Sequence, residues 1–205
     1  MKFKFALSAG LVFITGMGLA FAGTAVPAQP SQASVQEDAK TREFKDILVK
    51  LVRQDEYLDE AIEILDTASG RPSQEDLAAV GVSLKAIAKN LRHVSALNKA
   101  EFAAIQPGSD LSRYTNTILS YSRKVDRKSV QVGTLIAQLA AKNKKAAMRD
   151  AVTSRKGGKK ARGRQLTEVL AEQRSMARLA ADARALRGAS RDLSATSKWL
   201  YIASK

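Results

Sequence analysis

The chain has 205 residues and no cysteine, and its 34 lysines and arginines against 20 aspartates and glutamates give a formal charge of +14. The absence of cysteine excludes disulfides, zinc–thiolate sites, thiol catalysis and c-type haem attachment. The length suits one domain with a substantial core, which has to be held together by packing alone.

The N-terminus has the pattern of a secretory signal peptide. Lys2 and Lys4 precede an almost wholly apolar stretch, and an Ala-Phe-Ala sequence at 20–22 gives the small-x-small pattern of a cleavage site. We therefore predict a signal peptide at 1–22 and export to the bacterial periplasm or the extracellular space. An uncleaved N-terminal membrane anchor is the alternative, because the apolar stretch is at the lower limit of the length that spans a bilayer.

Residues 23–34 are small and polar and include two of the four prolines of the chain. This composition is typical of a disordered leader. The remaining residues, 35–205, are expected to form a single helical bundle domain.

Apolar residues at three- and four-residue intervals predict two helices in the first half of this domain. The first helix, 35–69, opens with a capping box that begins at Ser34, and it stops at Gly70. The second helix, 73–106, begins at Ser73, whose side chain suits an N-cap. A Pro-Gly pair then ends the second helix.

Two further helices are predicted at 109–153 and 164–203. The last helix repeats leucine every seven residues, with smaller residues at most of the positions between (Leu179, Leu186, Leu193 and Leu200; Met176, Ala183, Ser190 and Ser197). The small positions favour a close approach to a neighbouring helix.

Seven-residue spacing on four consecutive helices predicts an all-α fold, an antiparallel up-down four-helix bundle made of long helical hairpins. The third and fourth helices are longer than the first two. At 1.5 Å per residue, the second hairpin is expected to extend past the first by roughly 10–15 Å.

A basic cluster occupies the connection of this second hairpin. Between Lys142 and Arg164 there are ten basic residues and one acid, and the helical pattern breaks at a Gly-Gly pair at 157–158. The candidate anion-binding residues are Lys142, Lys145, Arg149, Arg155, Lys156, Lys159, Lys160, Arg162 and Arg164. Lysine and arginine bind polyanions by releasing condensed counterions. The alternative is a charged tip that only keeps the connection solvated.

For an exported chain, this cluster indicates an anionic envelope lipid or polysaccharide, or an acidic protein, as the partner. No Phe, Tyr or Trp lies between Tyr121 and Trp199, which disfavours the stacking platforms of single-stranded nucleic-acid binding. Sequence-specific nucleic-acid binding is not expected, peripheral membrane contact remains possible, and the oligomeric state is left open.

An acidic run on the first helix has two interpretations. Asp55, Asp59 and Glu63 are four residues apart and can present oxygens to a hard cation. Pairing with basic neighbouring helices, which fixes helix order, is the interpretation we favour. A carboxylate-bridged di-metal bundle needs Glu-x-x-His pairs, and the single histidine, His93, has no Glu three residues before it. We expect no metal site.

No nucleophile elbow or P-loop spacing is present, so we predict that the chain is not an enzyme and carries no cofactor. Gln54 and Asn98 occupy inward positions, where single amides either fix helix register or line a polar pocket. The expected function is an exported, non-catalytic bundle that binds an anionic envelope component or acidic partner through a basic hairpin tip. The alternatives are a structural or assembly protein interacting through bundle helices, and a bundle that senses a small ligand.

Overall fold

A computed structural model describes residues 32–67, 73–108, 110–153 and 159–205. Nearly all of this part of the chain is helical: α1 (Gln32–Thr67), α2 (Gln74–Ala104), α3 (Ser112–Thr153) and α4 (Lys159–Ala203). No strand occurs among the described residues. The prediction of an all-helical fold with four helices is confirmed.

The first helix begins earlier than the sequence pattern indicated. Because α1 starts at Gln32, the last residues of the predicted leader, 23–34, are helical, and Ser34 lies inside α1 instead of capping it. Glutamine and alanine are good helix formers, and no proline lies between Pro30 and Pro72 to stop the helix. The predicted signal peptide, 1–22, lies outside the described residues.

The fourth helix also begins earlier, at Lys159 instead of Arg164. The sequence Lys-Lys-Ala-Arg at 159–162 favours helix, and one glycine, Gly163, lowers helix propensity without ending the helix. The Gly-Gly pair at 157–158 is outside the described residues.

The start of α2 is capped as predicted. The hydroxyl of Ser73 accepts a hydrogen bond from the Asp76 amide at 3.0 Å, which satisfies one of the unpaired N–H groups of the first turn. Glu75 and Asp76 place negative charge at the positive end of the helix dipole. The helix ends at Ala104, before the extended residue Ile105.

Each helix of the bundle packs against two others. α1 packs against α2 and α3, and α4 packs against the same two helices, so the order around the bundle is α1, α2, α4, α3. Between α2 and α4, Ser95 bonds Thr196 at 3.2 Å and Asn98 bonds Ser197 at 2.9 Å. Residue numbers rise together in these contacts, so α2 and α4 are parallel neighbours.

The inward apolar stripes form one continuous core. Its largest fully buried side chains are Phe44, Leu51, Leu58, Leu65, Leu84, Ile87, Leu91, Ile118, Ile136, Leu179, Leu186 and Leu193. Each such side chain contributes roughly 1.5–3 kcal/mol by leaving water. Phe102, in the last turn of α2, lies outside this core and is 47% exposed.

A row of hydroxyl pairs joins α3 to α4. The pairs are Thr115 with Ser204 at 2.7 Å, Ser122 with Ser197 at 2.7 Å, and Ser129 with Ser190 at 2.8 Å. From one pair to the next, the residue number increases by seven on α3 and decreases by seven on α4, so these two helices are antiparallel. All six side chains are buried. We call this row the hydroxyl ladder.

The hydroxyl ladder allows α3 and α4 to lie close together while every hydroxyl keeps a partner. At its central rung, Asn98 donates to Ser197, and Ser122 donates to the Ile118 carbonyl at 2.7 Å. The Ser197 hydroxyl is then left to donate to Ser122. Three helices are joined by this one chain of hydrogen bonds, in a place where leucines would push them apart.

Replacing the central serine of α3 by leucine tests this packing. We expect Ser122→Leu to lower the free energy of unfolding by about 2–3 kcal/mol, because overpacking forces neighbouring side chains and backbone to shift and the Ser197 hydroxyl loses its acceptor. Chemical denaturation followed by circular dichroism measures the change. Ser120→Leu is the matched control, since Ser120 is exposed two residues away on the same helix, and it should change stability by less than about 0.5 kcal/mol. Equal effects of the two substitutions would contradict the close-packing account.

Candidate functional site

The two longest helices continue beyond the core of the bundle. Among the described side chains, Leu139 is the last buried residue of α3 and Met176 is the first of α4, and those between them are exposed or half-buried. We call this part of the hairpin the arm, made of residues 140–153 of α3 and 159–175 of α4. The arm has no core of its own among the described side chains.

A contact between α2 and α4 gives the length of the arm. Lys85 of α2 pairs with Asp182 of α4 at 3.7 Å, so α2, which begins at Gln74, ends level with about residue 171 of α4. The arm therefore extends the hairpin by about 20 Å at 1.5 Å per residue. This exceeds the predicted 10–15 Å because α4 begins at Lys159, five residues earlier than predicted, which adds about 7–8 Å at 1.5 Å per residue.

The predicted anion-binding residues fall mainly on the arm. Lys142 and Lys145 are exposed on α3, and Lys144 is equally exposed and belongs with them. These three lysines form no ion pair with a described residue. The others lie in α3 or α4 with side chains outside the described part, or outside the described residues altogether (Arg149, Lys159, Lys160, Arg162 and Arg164; Arg155 and Lys156).

The arm combines a net positive charge with two exposed apolar side chains. Its two segments contain nine bases and three acids. Met148 is 59% exposed, and Leu170 is also exposed. Exposed cations attract anions with a strength that falls steeply with salt. The chemistry available here is electrostatic binding of an anionic surface or chain, with a small apolar contribution.

In the body of the bundle, two lysines of α3 pair with carboxylates of the acidic first helix. Lys124 and Lys128 of α3 each approach a different oxygen of the Asp55 carboxylate at 2.5 Å, and Lys128 also pairs with Asp59 at 2.6 Å. The predicted pairing of this acidic run with a basic neighbour is therefore observed for two of its carboxylates. No group of three possible metal ligands occurs among the described residues.

These contacts shift the pKa values of Asp55 and Lys124. Burial raises the pKa of Asp55, but the hydrogen bonds and charges of Lys124 and Lys128 outweigh burial and hold that pKa below its ordinary value. The hydrogen bond and charge of Asp55 in turn raise the pKa of Lys124. Asp55 is 4% exposed, so an unpaired carboxylate there would be costly. The cluster fixes α1 against α3.

The two inward amides bond to neighbouring helices. Asn90 donates to the Gln54 side-chain oxygen at 3.3 Å, which joins α2 to α1, and Asn98 donates to Ser197, which joins α2 to α4. The Asn98 side-chain oxygen has no hydrogen-bond partner among the described residues. These contacts fit the use of amides to fix helix pairing.

Two open grooves lie on the surface near the end of the bundle opposite the arm. One has a volume of about 420 Å³ and is lined by Gly108, Asp110, Ser112, Arg113, Asn116, Tyr201, Ser204 and Lys205. The other, of about 600 Å³, is lined by Asn116, Leu119, Ser120, Arg123, Asp126 and Arg127. Neither groove includes Gln54 or Asn98, so the polar-pocket interpretation of these amides finds no support in either groove.

We find no family model, no curated protein and no solved structure that matches this chain. Within the described residues, none of the helices has the length and apolar character required to cross a bilayer. The arm and the distribution of charge are therefore the features of the molecule that bear on its function.

The ion-pair cluster predicts a pH dependence of stability. Since the folded-state pKa of Asp55 is below its unfolded value of about 3.9, the pairing stabilises the fold above about pH 4 and is lost as pH falls through the folded-state value. We expect Asp55→Asn to lower the free energy of unfolding at pH 7 by about 1–3 kcal/mol, less than for a fully buried pair because Lys124 is half-exposed.

Denaturation of both proteins between pH 2 and pH 7 checks this expectation. The difference in stability between the wild type and the Asp55→Asn variant should shrink progressively below about pH 4. The matched control is Asp192→Asn, an exposed aspartate of α4 that should show little difference at any pH. A difference for Asp55→Asn that stays constant with pH would contradict the assigned ion pairs.

Proposed function

We propose that this protein is an exported, non-catalytic helical bundle that binds an anionic component of the cell envelope through its basic arm. The observation that carries the proposal is the arm itself. It extends about 20 Å past the bundle, none of its described side chains is fully buried, and its three described lysines are exposed and unpaired with described residues.

The described part of the arm adds no fully buried apolar side chain to the core. Apolar burial is the main stabilising contribution in a domain of this kind, and among the described side chains burial stops at Leu139 and Met176. A helical extension of this length without a core is expected where the surface itself is used. Its charge favours an anionic ligand over an apolar one.

The distribution of charge favours the arm over the rest of the surface as the site that binds an anion. On the body, Lys124 and Lys128 are neutralised by Asp55 and Asp59. On the arm, the bases outnumber the acids by nine to three. The arm therefore offers an incoming polyanion a segment with six more bases than acids.

The proposal includes a signal peptide at 1–22 and helices that alternate in direction along the chain. Support for the alternation comes from single contacts, since Lys40 near the start of α1 donates to the Ala104 carbonyl at the end of α2. With this arrangement, the N-terminus of the bundle and the arm lie at opposite ends. The arm then reaches away from any membrane that holds the N-terminus.

Binding to vesicles tests the proposal. We expect the protein to sediment with vesicles of phosphatidylglycerol and phosphatidylcholine, but not with phosphatidylcholine alone, and to release as salt rises from 50 to 500 mM. The variant Lys142→Gln/Lys144→Gln/Lys145→Gln should bind about a hundredfold more weakly, since each lysine near an anionic surface contributes about 1 kcal/mol. Competition by soluble dextran sulfate distinguishes a lipid headgroup from a polyanionic chain as the preferred ligand.

The matched control removes the same charge from the body of the bundle. Lys89, Arg92 and Lys99 are exposed on α2, and replacing all three by glutamine should reduce binding by less than about threefold, because they are distant from the arm. Equal losses for the two triple variants would mean that only net charge matters and would refute a binding site on the arm.

A further inference from the structure

The outer face of α1 has a composition unlike that of an ordinary solvated helix. It presents three exposed apolar side chains among three exposed carboxylates: Val49, Tyr57 and Ile64 with Glu56, Glu60 and Glu63. We call these six residues the α1 stripe. Val49 is 61% exposed.

The α1 stripe lies opposite the core. Val49, Glu56 and Glu63 are seven residues apart. Each lies two residues before a buried leucine, and these leucines are Leu51, Leu58 and Leu65. Residues two apart on a helix differ in direction by about 200°, so Val49, Glu56 and Glu63 point away from the bundle. Tyr57 and Ile64 directly precede Leu58 and Leu65, so they lie about 100° from those leucines, on the flank of the outer face, where they are 41% and 38% exposed.

Its carboxylates are not neutralised within the chain. Residues 49–67 contain six acids and two bases, and only Asp55 and Asp59 of these acids pair with lysines of α3. Glu56, Glu60 and Glu63 form no ion pair with any described residue. An acidic face with interspersed apolar groups fits a basic partner that also carries exposed apolar groups.

The arm has this complementary composition. Lys142, Lys144 and Lys145 supply the positive charge, and Met148 and Leu170 supply exposed apolar side chains. The arm cannot reach the stripe of its own chain, because it continues straight from α3 and extends past the end of α1 at Thr67. A second copy of the chain can supply it.

We propose that two copies of this protein associate, with the arm of each packed against the α1 stripe of the other. A two-fold axis near the level of Thr67 places the copies end to end in opposite directions and overlapping by the length of the arms. The stripe is about 22 Å long from Val49 to Ile64, and the arm is about 20 Å long. Each copy provides one arm and one stripe, so both contacts form in the same dimer.

This inference goes beyond the proposed function but uses the same lysines. A polyanion and a second copy compete for the arm, so binding of anionic vesicles should favour separated copies. The α1 stripe takes no part in anion binding, which allows the two ideas to fail independently.

Sedimentation equilibrium of the purified protein tests the association. We expect a dimer at low salt that dissociates as salt is raised, because the contact is largely electrostatic. Glu60→Lys/Glu63→Lys should raise the dimer dissociation constant by about tenfold or more, whereas Asp110→Lys/Asp192→Lys, with the same charge change at exposed sites elsewhere, should change it by less than about twofold. A monomer at 100 µM in low salt, or equal effects of the two variants, would overturn the proposal.

Cross-linking locates the contact, and the absence of native cysteine makes this experiment clean. A mixture of one copy carrying Glu63→Cys and another carrying Lys145→Cys should oxidise rapidly to a mixed disulfide. A mixture in which Asp192→Cys replaces Glu63→Cys should not. Equal rates in both mixtures would refute the arm-to-stripe arrangement.

The two proposals give separate results in one further measurement. The Glu60→Lys/Glu63→Lys variant keeps its arm, so it should bind anionic vesicles at least as tightly as the wild type while failing to dimerise. Loss of vesicle binding in this variant would count against the proposed function and leave the dimer in place. Retained dimerisation would count against the dimer contact alone.

Discussion

The close contact of α3 with α4 is the constraint on which the rest of the structure depends. Three pairs of small hydroxyl side chains, each separated from the next by two helical turns, hold these helices together where larger residues would separate them. Because Asn98 bonds Ser197 at the central pair, the position of α2 is fixed by the same row. The remaining helix, α1, is then attached through α2 and through its ion pairs with α3.

Charge is used differently at the two ends of the second hairpin. Where α3 faces α1, lysines lie within 2.6 Å of carboxylates, and their charge stabilises helix pairing. Beyond Leu139, the described lysines of α3 are exposed and form no ion pair with a described residue. The same residue type therefore serves the fold in one place and remains available to a ligand in the other. The boundary between the two uses is the end of the core.

Much of the fold could be predicted from apolar spacing, while the polar contacts could not. The leucine series from Leu179 to Leu200 identified the inward face of α4, and the serines between these leucines indicated a close approach. Thr115, Ser122 and Ser129 on α3 were missed, because single hydroxyl residues within a stripe resemble its solvent-exposed edge. Their seven-residue spacing, matched to that of α4, was the available signal.

The sequence showed how many basic residues the cluster contains, but it did not show how far the cluster extends past the ends of the other helices. The length of the arm depends on how the second hairpin is positioned along the first, and contacts between α2 and α4, such as Lys85 with Asp182, determine that position. The outward acidic and apolar face of α1 was also missed. Only the structure shows that Tyr57 and Ile64 remain exposed, since an amphipathic pattern identifies the inward face and leaves the opposite face undetermined.

The parallel pairing of α2 with α4 affects how the chain can fold. Ser95 and Thr196 are 101 residues apart in sequence, and Asn98 and Ser197 are 99 apart, whereas simple helical hairpins pair with nearby segments. Contacts at such separations slow folding, because a long loop must close before they form. During synthesis, α1 and α2 emerge well before α4 and have no partner for Ser95 and Asn98. Of these four helices, α4 is made last and completes the core, so the bundle becomes stable only after α4 has been synthesised.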